Sequence, residues 1–236
     1  MTRVLVALIC SGLMLKAALT FASAGDRVAC GSAAILDNLT TFTWTAWVNQ
    51  ADTTDAEIIV SKDKIGSRGW LFFDDGGALR LQRFTSGSAR TYDSNTGFLS
   101  ANTWHFAAVT YDAAATPRAR IYVGGLATTV AEVTYATQDA GSGDDNDDSG
   151  NSLVISELDD AATGVEWHGR IADVRGFNTV LTLGQLRAIQ FGGRSGLQPI
   201  FYNPLYFTAN HGDLSGQAHA CVVTAATQAS HVPLGR

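Results

Sequence analysis

"LSANTWHFAAVTYDAAATPRARIYVGG", residues 99–125, is the stretch on which the fold turns. Successive side chains of a strand point to opposite faces. Trp104, Phe106, Ala108 and Thr110 therefore share one face, and His105, Ala107, Val109 and Tyr111 share the other. Both faces are largely apolar, the pattern of a central strand covered on both sides. Asp112 opens a turn, and a second short run, "ARIYVGG", returns from it.

The same two-residue period recurs outward from this pair. "FTWTAWVNQ", "WLFFDDGGALRLQRF", "SLVISEL" and "RIADVRGF" all alternate, and Gly, Asp, Asn or Ser clusters bound each run. Short strands with turn signals every ten or so residues predict an antiparallel sandwich or barrel. Asp74-Asp75-Gly76-Gly77 reads as a hairpin turn. One segment has helical spacing: Leu183, Leu186 and Ile189 recur every three residues, Thr182 stands in a capping position, and Gly192-Gly193 can end the helix. The stretch Asp139–Asn151, "DAGSGDDNDDSGN", reads as a long surface loop. The expected fold is all-β, an antiparallel two-sheet jelly-roll sandwich with one short helix toward the C-terminal side. Residues 18–236 form one sandwich, and residues 1–17 are an N-terminal extension.

Composition narrows the partners. The chain has 236 residues and a net charge of −6, and lysine occurs only at Lys16, Lys62 and Lys64. Nucleic-acid binding needs a basic face, which this balance does not supply. No stretch reaches the ~18 apolar residues of a membrane span. None of the three cysteines has metal-site spacing with another. Cys30 and Cys221 can form a disulfide only if the two chain ends are neighbours, so paired and free thiols both stay open.

The quoted stretch resembles the laminin-G-like jelly roll of the concanavalin A-like superfamily, the branch related to pentraxins. Trp104, His105, Ala108, Tyr111 and Asp112 match its Trp-His-x-x-Ala-x-x-Tyr-Asp strand, and Tyr122 and Val123 match the next one. Gly124 replaces the usual Asn, a permissive change in a tight turn. "FTWTAWVNQ" is similar to the family's early core strand. "LVISELDD" with "WHGRIADVRGFNTVLTLGQL" is similar to its penultimate strand pair and helix, and "LTFASAGDRVACG" to its opening strand and turn. The resemblance covers residues 18–192. Beyond it, "DLSGQAHA" resembles a segment that accompanies these domains in phage and bacterial surface proteins, and Ala220–Thr227 reads as a further strand.

The beginning of the chain has two readings. Arg3, an apolar Val4–Leu15 and Ala22-Ser23-Ala24 fit a secretory signal. Leu19–Cys30 also fits the first strand, which cleavage after Ala24 would cut. The expectation adopted is an uncleaved start, with "VLVALI" as an extra β segment that pairs with a neighbouring subunit.

The resemblance implies two chemistries. Glycosidases of the superfamily carry two carboxylates on a Glu-x-Asp-x-x-Glu or Glu-x-Asp-x-Glu strand. The nearest match, Glu157-Leu158-Asp159-Asp160-Ala161, lacks the second Glu, and the chain has only four Glu. Catalysis is therefore not expected, and His105 and His168, each following a Trp, are read as structural. Pentraxins place acidic calcium ligands where Glu157, Asp159 and Asp160 stand, and Asp144, Asp145, Asp147 and Asp148 lie just upstream. These residues are the candidate calcium site, set against the plainer reading of a solvated acidic loop. For a ligand, Trp70, Tyr92 and Trp167 are candidates to stack on a sugar face, again against a core role. Trp44, Trp47 and Trp104 are expected in the core.

The expected function is a non-catalytic recognition or structural module that binds glycan or protein surfaces outside the cell and is displayed in a repeated assembly. The alternative is a subunit of a virion or extracellular filament. Either way a homo-oligomer or larger array is expected, at an extracellular or virion surface.

Overall fold

In the computed structural model, residues 17–65, 67–160, 164–205 and 211–230 are described. The expectation placed on "VLVALI" lies outside them. In chain order the strands are β1 (Ala17–Phe21), β2 (Arg27–Ala29), β3 (Thr41–Gln50), β4 (Ala56–Lys64), β5 (Ser67–Asp75), β6 (Leu79–Arg83), β7 (Arg90–Ser94) and β8 (His105–Asp112). They continue with β9 (Ala119–Gly125), β10 (Ala131–Glu132), β11 (Tyr135–Asp139), β12 (Val154–Ile155) and β13 (Gly169–Phe177). The helix α1 (Leu183–Gln190) follows, then β14 (Phe201–Asn203), β15 (His211–Gly212), β16 (Ala220–Thr224) and β17 (Thr227–Ser230).

These strands form two antiparallel sheets. The first has the order β10-β9-β8-β3-β13-β1-β17, with β14 also paired to β13. The second has the order β11-β7-β6-β5-β4-β12-β2-β16-β15. The expected all-β, two-sheet sandwich with one helix is what the chain adopts.

The period of two sets the layers. From β3, Phe42, Trp44, Ala46 and Val48 enter the core between the sheets, while Trp47 points the other way. From β8, Ala107, Val109 and Tyr111 enter the same core, and Phe106 and Ala108 face out. The outward set is then covered by α1. Leu186 and Ile189 pack on Trp47, Trp104, Phe106 and Phe177. That explains why both faces of residues 104–111 are apolar. A capping box starts the helix: the Gln185 amide donates to Thr182 Oγ1, and the Thr182 amide donates to Gln185 Oε1.

Three local readings change. The expected first strand is two strands in opposite sheets. A turn at Gly25 (φ 85°) separates them, where Asp26 Oδ2 accepts from the amides of Ala22 and Ser23. The expected Ala220–Thr227 strand likewise breaks at Ala225 (φ 56°) into β16 and β17. In each case a residue in the left-handed region lets the chain cross from one sheet to the other. Gly124 is required rather than permissive. A Cβ there would lie 2.6 Å from Gln190 Nε2 and 2.8 Å from Val130 Cα. The Gln190 amide fills that space, donating to Gly125 O and Thr128 O while its oxygen accepts from the Val130 amide.

The chain ends meet inside the second sheet. β16 pairs with β2, with Val222 opposite Ala29, and a disulfide joins Cys30 to Cys221. In the first sheet β1 lies between β13 and β17 and pairs with both, so it is an internal strand.

Candidate functional site

The residues singled out in the sequence lie in three places. Trp70, Tyr92 and Trp167 are all in the inter-sheet core, and none is more than 1% exposed. Trp70 stacks on Phe42 with ring centroids 5.3 Å apart. None of the three offers a face to a sugar, which corrects the stacking expectation. Trp44, Trp47 and Trp104 are buried, as expected of core residues.

The acidic loop is held down rather than solvated. Asp145 is ion-paired to Arg83 at 2.7 Å and to Arg90 at 3.3 Å, and it accepts from Tyr111 Oη at 2.9 Å. Burial, and then Asp145, push the Tyr111 hydroxyl up to about 12. Asp148 is fully buried against Lys62, itself fully buried, whose ammonium also meets Asp37 at 2.7 Å. Asp144 is exposed. Asp159 Oδ2 accepts from the Ser152 amide, and Asp160 Oδ2 from the Ile65 amide. Glu157 is buried, with one oxygen accepting from the Leu158 amide and the other without a hydrogen-bond partner. Burial raises its carboxyl to about 7. Among the described residues, no three His, Cys, Asp or Glu side chains gather so as to hold a metal ion. The carboxylates expected to bind calcium do not converge: Asp145 and Asp148 are paired to cations, Asp144 and Asp147 are exposed, and the downstream set caps separate backbone amides.

A third place was not singled out. At one end of the first sheet, Thr20 lies opposite Arg170 and Arg170 opposite Asn49, a polar row across β1, β13 and β3. Asn49 is two residues beyond Trp47, so the row is on the sheet's outer face. The row floors a cleft of about 520 Å³ also lined by Asp52, Asp55, Asn102 and His168. Gly169 lets the strands close here, since a Cβ (at φ 145°) would collide with the Asn49 backbone oxygen. Asn49 is only 7% exposed, and among the described residues its side-chain amide has no hydrogen-bond partner. That amide lines the cleft, so its donors and acceptor are available to a ligand there.

Beneath His168 sits a set of buried carboxylates. His168 Nδ1 is 2.9 Å from Glu57 Oε1, and the His168 amide donates to Glu57 Oε2 at 3.1 Å. Gln50 Nε2 donates at 3.0 Å to both Glu57 Oε2 and Asp74 Oδ2. Burial raises Glu57 to about 7 and raises Asp74 as well. On the other side of the ring, Glu166 Oε1 is 3.7 Å from Nε2, and its Oε2 accepts from the amides of Gly164 and Val165. In the sequence His168 reads as structural because it follows Trp167; its partner Glu57 lies 111 residues away. The detectable signal was a polar residue at the end of each of three adjacent strands.

Two antiparallel sheets packed face to face make a jelly-roll sandwich. The chain belongs to the concanavalin A-like lectin/glucanases superfamily, whose laminin-G profile matches residues 22–187. No curated protein matches it in sequence. Among solved structures, it is similar to a Bacteroides ovatus ATCC 8483 protein provisionally assigned to carbohydrate binding, with a TM-score of 0.64 and 17% identity. The match covers 93% of this chain and 61% of that one, so this chain spans about three fifths of its length. It is also similar to domains LG4-5 of the mouse laminin alpha1 chain, with a TM-score of 0.51 and 11% identity, covering 80% of this chain and 45% of that one. At these identities the likeness shows the fold. No described helix is long and apolar enough to cross a membrane.

Proposed function

We propose that this chain is a non-catalytic recognition module that binds saccharide in the cleft formed by Thr20, Asn49, Asp52, Asp55, Asn102, His168 and Arg170. The observation that carries the reading is the Asn49 side chain, which lines the cleft beside Arg170 with its amide free of hydrogen bonds among the described residues. Asn and Asp side chains with a guanidinium supply the donors and acceptors that match vicinal hydroxyls, and a concave site lined this way is the usual form of a small-ligand pocket. The Bacteroides likeness supports this ligand class through the fold alone. The disulfide supports an extracellular setting, because such bonds persist in oxidising compartments.

A glycan array with the wild-type chain and with Asn49→Ala and Arg170→Ala tests this. The expected result is a saccharide retained by the wild type and lost, by tenfold or more in affinity, in both variants. Binding that both variants keep would place the site elsewhere.

A repeated assembly, as in a virion or filament, is a second reading. Phe191, Leu197 and Leu214 are each more than two-fifths exposed, and the last two line a groove of about 630 Å³ with Pro199 and Tyr202. Exposed apolar patches often mark interaction surfaces. Light scattering of Leu197→Ser with Leu214→Ser should show smaller particles than the wild type, and an unchanged monomer in both would end this reading.

A further inference from the structure

His168 lines the cleft and at the same time touches two buried carboxylates. Its ring is fixed by Glu57, which holds both Nδ1 and the backbone amide of the same residue. Glu57 cannot swing away, because Gln50 holds it from β3. An ionised carboxylate can only accept, so Nδ1 carries the hydrogen and Nε2 presents a lone pair. Glu166 Oε1, at 3.7 Å, is beyond hydrogen-bond reach of that lone pair, and its other oxygen is anchored by two backbone amides. The half-exposed ring therefore offers an acceptor to whatever occupies the cleft.

Adding one proton reverses this. If the proton goes to the ring, Nε2–H points at Glu166. If it goes to Glu57, that acid donates to Nδ1 and the ring's own hydrogen moves to Nε2. The proton belongs to the pair, and both placements turn Nε2 from an acceptor into a donor facing Glu166. We propose that His168 Nε2 is the acceptor for a ligand hydroxyl in the cleft, and that saccharide binding is therefore linked to release of one proton. This rests on the cleft being the binding site. The charged and polar groups facing the pair are Glu57 from β4, Glu166 from the segment before β13, Asp52 from the β3–β4 loop, Arg170 from β13 and Gln50 from β3. Hydrogen bonds from Thr54 hold the Asp52 carboxyl below its usual range, and a guanidinium stays charged, so neither changes state where imidazoles titrate.

The sign follows. Affinity is greatest at the alkaline side and falls by up to about tenfold per pH unit once the pair takes up its proton. The test is binding of a panel of neutral cello-, xylo-, manno- and galacto-oligosaccharides at about pH 8 and about pH 5, the span over which histidines change charge. The wild type should bind a member of the panel far better at the higher pH. His168→Gln, which keeps an amide acceptor but no proton to exchange, should bind with the same affinity at both. A wild-type affinity equal at the two pH values, or a His168→Gln variant with wild-type pH dependence, overturns the linkage and leaves the recognition reading standing. A panel that binds at neither pH overturns both. Nitrogen-15 NMR of the unliganded chain supplies a readout without ligand. At about pH 8 the ring should be the Nδ1–H tautomer, and an Nε2–H tautomer there overturns the proposal.

Discussion

The acidic loop of residues 139–151 and the carboxylates under the cleft are both clusters of negative charge, and they are built in opposite ways. In the loop, the buried Asp148 and the half-buried Asp145 meet Lys62, Arg83 and Arg90. Under the cleft, Glu57, Asp74 and Glu166 are buried with one half-exposed histidine among them, and the buried Glu157 adds its charge beside Glu166. The first arrangement has its charges matched and serves to dock a loop on the sandwich. The second is under-compensated, and burial raises Glu57 and Glu157 to about 7. Acid-rich sequence marks neither a calcium site nor a solvated face until the cations around it are known.

The largest expected effect comes from unmatching the first region. Lys62→Ala leaves the buried Asp148 with the Asn38 amide and, as its one cation among the described residues, the more distant Arg83 at 3.9 Å. Breaking a buried pair by removing one partner costs about 3–5 kcal/mol. Denaturant unfolding should show a loss of that size, with the sandwich still folded. A loss under about 1 kcal/mol would mean that water replaces the ammonium, and the contrast between the two regions would fail.

A smaller effect of opposite sign is expected in the second region. Between its unfolded value of 4.5 and its folded value of about 7, Glu157 binds a proton in the folded chain and not in the unfolded one. Stability therefore falls as pH rises through that window, and the full cost remains above it. Glu157→Gln removes the charge and should stabilise the chain at about pH 8 by about 1–3 kcal/mol, with no gain near pH 4.5. Melting curves at the two pH values decide this, and a variant less stable than the wild type at both would show that the ionised carboxylate is satisfied after all.

The fold was legible where it rested on local pattern. The two-sided strand around Trp104, the hairpin at Asp74–Gly77 and the Thr182 cap each needed only neighbours in sequence. The sheet crossings at Gly25 and Ala225 were missed because hydrophobic alternation continues across them and only the backbone dihedral changes. Most of the site was illegible. Gln50 ends β3, Glu57 lies in β4 and His168 just precedes β13, and Arg170 reads as an ordinary outward residue until Thr20 and Asn49 are placed beside it. Trp70 and Trp167 misled because an aromatic in a strand looks the same whether it faces the core or a rim. The acidic loop misled because Lys62, Arg83 and Arg90, which neutralise it, lie 49 or more residues before it in sequence.

The smallest expected effect separates two adjacent residues of the loop. Asp144 is exposed and makes no ion pair among the described residues, and its backbone amide donates to Ser86 Oγ. Asp145 is held by two arginines and a tyrosine hydroxyl. Asp144→Asn keeps the backbone bond and removes only a solvated charge, so the change in stability should stay within about 0.5 kcal/mol. Asp145→Asn should cost several times more, because Arg83 and Arg90 are then left nearly buried without their counter-ion. Thermal melts of the two variants with chelator and with added calcium complete the comparison. A metal bound only by the folded state would stabilise it by mass action. With Asp145 and Asp148 already paired to cations, neither additive should move the wild-type melt. A calcium-dependent rise in the wild type that Asp144→Asn abolishes would restore the loop as a metal site, and the division between matched and unmatched charge would have to be redrawn.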